Sequence, residues 1–231
     1  MRSKSEIKRQ AILDAAKAVF EETGFERASM AEVAARASSS KATVYNYFES
    51  KEALFLALIE YSAGLQTDSR CFLRNGDDLP VTVMEIFAIL DPAADIATAL
   101  QTFGERAIST FHSPSMLATM RMVIAAANHS DIGKLFYERG PAKAFKITEN
   151  FFAAAMQAGK LRRADPRIAE MHWRGLLKGA ILEAGLYNVQ PELTPQEIKA
   201  IVTAAVDVFM RAYGAAQQDS PTEQNNPGAQ A

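Results

Sequence analysis

Apolar positions in the first sixty residues recur at three- and four-residue steps, interrupted by two short polar intervals. Ile12, Ala16, Val19 and Phe20 fall on one face of a helix at that spacing. Ser3 and Glu6 precede the run in capping-box register, where each side chain satisfies a free backbone N–H of the first turn. Gly24 closes the helix, because glycine accepts the left-handed conformation there, and Phe25 folds back onto the last turn. A second capping box, Ser29 and Glu32, opens a helix with Val33, Ala34 and Ala37 as its inner stripe. Ser38-Ser39-Ser40 separates it from a third helix, 40–48, in which Val44 and Phe48 face the same core. Two short helices across a three-residue turn have the dimensions of a helix-turn-helix.

The third helix leaves Lys41, Thr43, Tyr45, Asn46 and Tyr47 for its outer faces, with Ala42 among them. A helix of this width fits the major groove of B-form DNA, where each base pair shows its own donor and acceptor pattern. Ser29 and Lys51 lie at the N-termini of the neighbouring helices, where backbone N–H groups and the helix dipole favour an anion. The candidate DNA contacts are therefore Ser29, Lys41, Ala42, Thr43, Tyr45, Asn46, Tyr47 and Lys51.

Helical periodicity continues beyond Lys51, and no convincing strand pair appears. Asp91-Pro92, Ser113-Pro114, Asp165-Pro166 and Thr194-Pro195 each set a capping residue before a proline at the first helical position. The predicted helices are 50–74, 81–90, 92–112, 114–128, 131–139, 141–158, 166–188 and 195–214, with a loop from Arg74 to Pro80. The expected fold is all-α: a head over 1–50, a helical domain over 51–214 and a disordered tail over 215–231. The tail is rich in Gln, Asn, Ala and Pro and lacks apolar period.

Two features of the larger domain suggest chemistry. The middle helices carry many aromatic and methionine side chains, and Phe103, Phe111, Met120, Arg121, Phe136, Phe152 and Met156 are candidates to line a ligand pocket. His112, Arg121, Asn128 and His129 are its candidate polar anchors. Ordinary core is the competing reading, since methionine fills irregular gaps in any interior. Residues 166–188 place Gly175 and Gly179 four apart beside Leu176 and Leu182, a spacing that lets another helix approach closely. Residues 195–214 present Ile201, Ala205 and Phe209 at helical spacing, facing either a partner or an intrachain core.

These residues carry a family likeness. Ile12–Ala16, Phe20–Phe25, Ser29-Met30, Val33-Ala34, Lys41–Tyr45, Tyr47-Phe48 and Ser50–Phe55 resemble the head of the tetracycline-repressor (TetR) family, over residues 5 to 58. Leu135–Pro141 and Ala158–Leu161 resemble the AefR-like regulatory domain within that family. The likeness implies a homodimeric, ligand-responsive transcription regulator, usually a repressor, that binds a palindromic duplex operator and releases it for a small apolar or aromatic effector. It places Lys41, Thr43, Tyr45 and Lys51 at DNA-contacting positions. It makes the last two helices a dimer interface through Gly175, Leu176, Gly179, Leu182, Ile201, Ala205 and Phe209. Departures are confined to the turn and the recognition helix: Ser38 and Ser39 stand where the family favours glycine and a small hydrophobe, and Ala42 replaces a frequent glycine.

Charge supports the division of labour. The whole chain carries −2. Residues 1–51 hold nine Lys/Arg against seven Asp/Glu, leaving 16 against 20 for the remainder. Arg2, Lys4, Lys8 and Arg9 gather at the start, either along phosphates or as a solvated face. The lone Cys71 excludes an intramolecular disulfide, and with no apolar run long enough to span a membrane the expected location is the cytoplasm.

Catalysis is not expected. His112, His129 and His172 lack metal-ligand spacing, and no phosphate loop or nucleophile elbow appears. No cofactor is expected either. The alternative function is a helical protein–protein adaptor that has lost operator binding.

Overall fold

A computed structural model describes residues 4–62, 79, 81–128, 130–179, 181–189 and 192–215. Among them the chain forms α1 (Lys4–Arg27), α2 (Met30–Arg36), α3 (Lys41–Tyr47), α4 (Lys51–Ser62), α5 (Val81–Phe87) and α6 (Ile96–Phe111). It continues with α7 (Pro114–Ala126), α8 (Ile132–Arg139), α9 (Pro141–Gln157), α10 (Pro166–Gly179), α11 (Leu182–Leu186) and α12 (Pro195–Tyr213). No strand occurs among the described residues; an isolated antiparallel bridge joins Leu161 to Gly214. The all-α expectation holds. Ser3, Cys71, His129, the loop from Arg74 to Pro80 apart from Leu79, the 50–74 helix beyond Ser62 and residues 216–231 lie outside the described residues.

Three helix boundaries differ from expectation, each for a local reason. The helix predicted from Pro92 begins at Ile96. Asp91 spends its carboxylate on the Ala93 N–H in a turn, and Asp95 caps the helix by accepting from the Thr98 N–H, each at 2.8 Å. The helix predicted over 166–188 stops at Gly179 and restarts at Leu182. The helix predicted over 81–90 stops at Phe87, where the Leu90 N–H turns back to the Phe87 carbonyl. Thr194 caps α12 ahead of Pro195 as the sequence indicates, and Glu197 completes a capping box with it.

The head packs around three phenylalanines. Phe20 meets Phe55 edge-on at 5.1 Å between centroids, and Phe25 meets Phe55 at 4.9 Å. Fully burying each ring contributes about 1.5–3 kcal/mol, and edge contacts add about 0.5–1.5 kcal/mol. Gly24 has φ +76°, as its place at the end of the first helical run requires. Val123 and Ala126 of α7 and Ile132 of α8 enter the same hydrophobic cluster. Packing therefore crosses the boundary at residue 51, and the head's core is closed partly by the larger domain.

The second core lies among α6, α9, α10 and α12. Gly104 permits the α6–α12 contact: a Cβ there would lie 2.6 Å from Cγ1 of Val202. Phe209 is fully buried, stacked on Phe152 at 4.9 Å and on Tyr213 at 4.7 Å. Here two expected interface residues are corrected. Phe209 and Ala205 face this intrachain core, because the apolar stripe of α12 that they share with Val202 and Val206 is already covered by α6 and α10. Gly175 and Gly179 remain exposed, with open space where a side chain would project. Leu176, Leu182 and Ile201 are half-buried.

Candidate nucleic-acid interface and ligand cavity

Short side chains cap both helices around the turn between α2 and α3. Ser29 Oγ accepts from the Glu32 N–H at 3.2 Å, and Ser40 Oγ accepts from the Thr43 N–H at 3.0 Å. Ser38, where the family favours glycine, sits at φ +46°, a left-handed conformation. The Ser39 N–H donates to the Ala34 carbonyl at 2.9 Å. Lys8 Nζ donates to the Ala37 and Ser38 carbonyls at 3.3 and 3.2 Å, so one basic residue of the N-terminal cluster clamps the turn.

Val44 is fully buried and fixes the rotation of α3, leaving Lys41, Ala42, Tyr45 and Asn46 exposed. The Lys41 ammonium lies 5.8 Å from the Tyr45 ring centroid, so charge and phenol share one surface. Thr43 and Tyr47 are half-buried. The Thr43 hydroxyl lies 2.8 Å from Ser40 Oγ, and the Tyr47 hydroxyl 3.4 Å from Ser5 Oγ. Lys51 is turned inward: its ammonium donates to the carbonyls of Phe25, Glu26 and Ala28 at 2.8, 3.1 and 3.3 Å. Its charge is spent on the end of α1, where carbonyls and helix dipole favour a cation. Ser29 is exposed at the start of α2.

The larger domain holds a partly open cavity of about 210 Å³ between α4, α5, α6, α7 and the α8–α10 helices. Phe103, Phe111, Met120 and Phe136 line it, as expected. Three expected wall residues do not. Arg121 donates from Nη1 to the Gly185 carbonyl at 2.9 Å, tying α7 to α11. Phe152 and Met156 are buried in the core of the larger domain, Phe152 against Phe209, because their face of α9 meets α12 and not the cavity. Of the expected anchors His112 lines the cavity, whereas Asn128 is exposed to solvent.

Sequence reasoning missed the polar wall, which comes from α10. Glu170, Trp173, Arg174, Leu177 and Lys178 all line the cavity, at the i, i+3, i+4, i+7, i+8 positions of one helical face. Charged residues on an inward stripe are costly unless paired, and that was the available signal. Glu170 is 5% exposed and accepts from Arg174 Nε at 2.9 Å. The Arg174 guanidinium also lies over the Phe145 ring at 4.0 Å, and the Lys178 ammonium 5.5 Å from the same centroid. Burial, with Arg174 acting in the same direction and Glu170 opposing it, holds Lys178 below the usual lysine range. Burial, seconded by Lys178, pushes the His112 imidazole down to about 4.

No metal-holding cluster of His, Cys, Asp or Glu occurs among the described residues, and no described helix is long and apolar enough to cross a membrane. An outward helix beside a clamped turn, carried on a helical domain with a partly open cavity, fits a ligand-responsive, DNA-binding regulator. The chain belongs to the TetR family of bacterial regulatory proteins: residues 12–58 match that family's head, and residues 98–215, just over half of the chain, match the AefR-like transcriptional repressor C-terminal domain. It is 27% identical over 200 residues to the A-factor receptor protein of Streptomyces griseus, covering 79% of this chain and 67% of that one. It is 32% identical over 110 residues to the HTH-type transcriptional regulator UidR of Escherichia coli K12, spanning 47% of this chain and about half, 51%, of that relative. Among solved structures it resembles the flavonoid-responsive regulator FrrA, with a TM-score of 0.70, 27% identity, and coverage of 92% of this chain and 100% of that one.

Proposed function

We propose that this protein is a homodimeric repressor that grips a palindromic operator with α3 and releases it when a small apolar or aromatic effector fills the cavity. The observation that carries this reading is the reach of α7. Met116 and Met120 line the cavity, while Val123 and Ala126, one and two turns further on, are buried in the core of the head. Ile59 of α4 belongs to both places. A ligand that displaces these side chains favours a conformation with the heads spaced wrongly for successive major grooves, a population shift. A coupling of about 1–3 kcal/mol suffices.

The dimer face is the outward side of α10 and α12. Ile168, Met171, Gly175 and Gly179 share one exposed stripe, and Ala204 and Val208 with half-buried Ile201 form another. A two-fold pair would set its recognition helices about 34–36 Å apart or a multiple of that. FrrA, whose name records a response to flavonoids, supports an aromatic effector by analogy. Lys41, Tyr45, Asn46 and Ala42 would face the groove, with Ser29, Thr43 and Tyr47 at its margin. Lys51 would act through the backbone it organises.

The test is selection from random duplexes with the purified protein. A recovered two-fold-symmetric site is expected. A folded protein that selects nothing at low salt would overturn operator binding and favour the adaptor.

A further inference from the structure

The polar end of the cavity says what kind of effector it accepts. Glu170 and Arg174 form an ion pair at 2.9 Å, so their charges cancel. The Lys178 ammonium, on the same wall, makes no ion pair or hydrogen bond among the described residues. Trp173 is 1% exposed, and its indole Nε1 is enclosed without a hydrogen-bond partner among them. The enclosed His112 Nδ1 also lacks one. A buried polar group left unpaired costs about 1–3 kcal/mol, so two such atoms on residues lining one small cavity, beside a half-buried lysine without an ion pair, call for an occupant.

Their chemistry restricts it. Lysine and indole are donors only, and an imidazole nitrogen serves as either donor or acceptor. The occupant must therefore bring acceptors, and the surplus charge facing it is positive. An amine would meet Lys178 with like charge and leave the Trp173 N–H unanswered. The rest of the wall is aromatic: Phe87, Phe103, Phe111, Phe136 and Phe145 present rings to the same space. An apolar cavity of about 150 Å³ holds one benzene. At about 210 Å³ this one accommodates a flat body of one or two rings.

We propose that the effector is a small aromatic acid, its anionic oxygen seated at Lys178 with Trp173 and His112 as the accompanying partners and its rings among the phenylalanines. This rests on the cavity being the effector site of the regulator described above. Recognition then divides in two: the rings supply burial and stacking, and Lys178 selects the acid over the hydrocarbon.

Calorimetric titration of the full chain with 2-naphthoate, 2-naphthol and 2-methylnaphthalene at neutral pH tests this. The two oxygen-bearing probes distinguish a carboxylate from a phenol as the head group. 2-Naphthoate, the probe that is anionic at neutral pH, should bind ten-fold or more tightly than the hydrocarbon. Lys178→Met should abolish that preference while leaving 2-methylnaphthalene affinity unchanged or improved, and Lys178→Arg should restore it. Equal affinity for all three probes, an unchanged preference in Lys178→Met, or no binding by any probe would overturn the proposal. Duplex selection is read independently. Probes that fail beside a recovered operator sink the acid site alone, and an absent operator beside selective acid binding sinks the DNA reading alone.

Discussion

The Lys51 ammonium lies 4.4 Å from the centre of the Phe25 ring and donates to the Phe25 carbonyl at 2.8 Å. One residue thus caps the end of α1 and covers an aromatic ring of the head's core. Its first effect is on stability. Lys51→Met should lower the head's unfolding free energy by about 2 kcal/mol, the loss of a charged donor to otherwise unanswered carbonyls. Circular dichroism during urea unfolding reads this directly. A variant as stable as the parent, yet defective on DNA, would assign Lys51 to phosphate.

Ser38 holds φ +46° without being glycine. A left-handed conformation costs a side-chain-bearing residue about 1–2 kcal/mol. Ser38→Gly should recover about 1 kcal/mol of this, since glycine also adds entropy to the unfolded chain. The expected result is a higher urea midpoint at unchanged slope. A lower midpoint would show that the Ser38 side chain stabilises the turn by more than its backbone costs.

His112 couples the cavity to pH. Its ordinary value is 6.5, and burial in the folded protein takes it to about 4. Between those values the unfolded chain binds a proton that the folded chain does not. Its contribution is complete above about pH 6.5 and is lost as pH falls toward 4. At about 1.4 kcal/mol per unit the cumulative loss is on the order of 3 kcal/mol. His112→Phe should shrink the stability difference between pH 7.5 and 5, measured by urea midpoints. An identical difference in parent and variant would show that the imidazole is not desolvated.

Gly175 has open space above it on the exposed face of α10, beside Met171 at 46% exposure. Gly175→Arg leaves the monomer's packing untouched and sets a bulky charge on the proposed interface. Sedimentation should show a dimer for the parent and a monomer for the variant. A variant that remains dimeric would place the interface elsewhere.

The head was legible in the sequence because its signals are local. The Ser29 cap, the Gly24 break and the Val44–Phe48 spacing each act within one turn of helix and are present in the structure, whereas the expected Ser3 cap lies outside the described residues. What escaped depends on contacts between distant segments. Arg121 reads as a pocket anchor until Gly185 is placed beside it, sixty-four residues later. Phe152 and Phe111 look alike in sequence, yet one packs on Phe209 and the other faces the cavity. Periodicity marks an apolar stripe without saying which neighbour covers it, so Ala205 and Phe209 fit either a partner or an intrachain core until α6 and α10 are placed against α12. The Glu170–Arg174–Lys178 ladder was visible as spacing, but its inward aim follows only from the burial of Trp173 and Leu177.

The most direct test of DNA recognition by α3 is the salt dependence of operator affinity, for the parent and for Lys41→Ala. Each neutralised phosphate contributes a slope of about −0.9 in log affinity against log salt. The parent should lose affinity steeply between about 50 and 200 mM salt. Lys41→Ala should bind more weakly with a slope shallower by about one. Affinity independent of salt, or equal slopes and affinities for both proteins, would contradict α3 as the element that grips DNA.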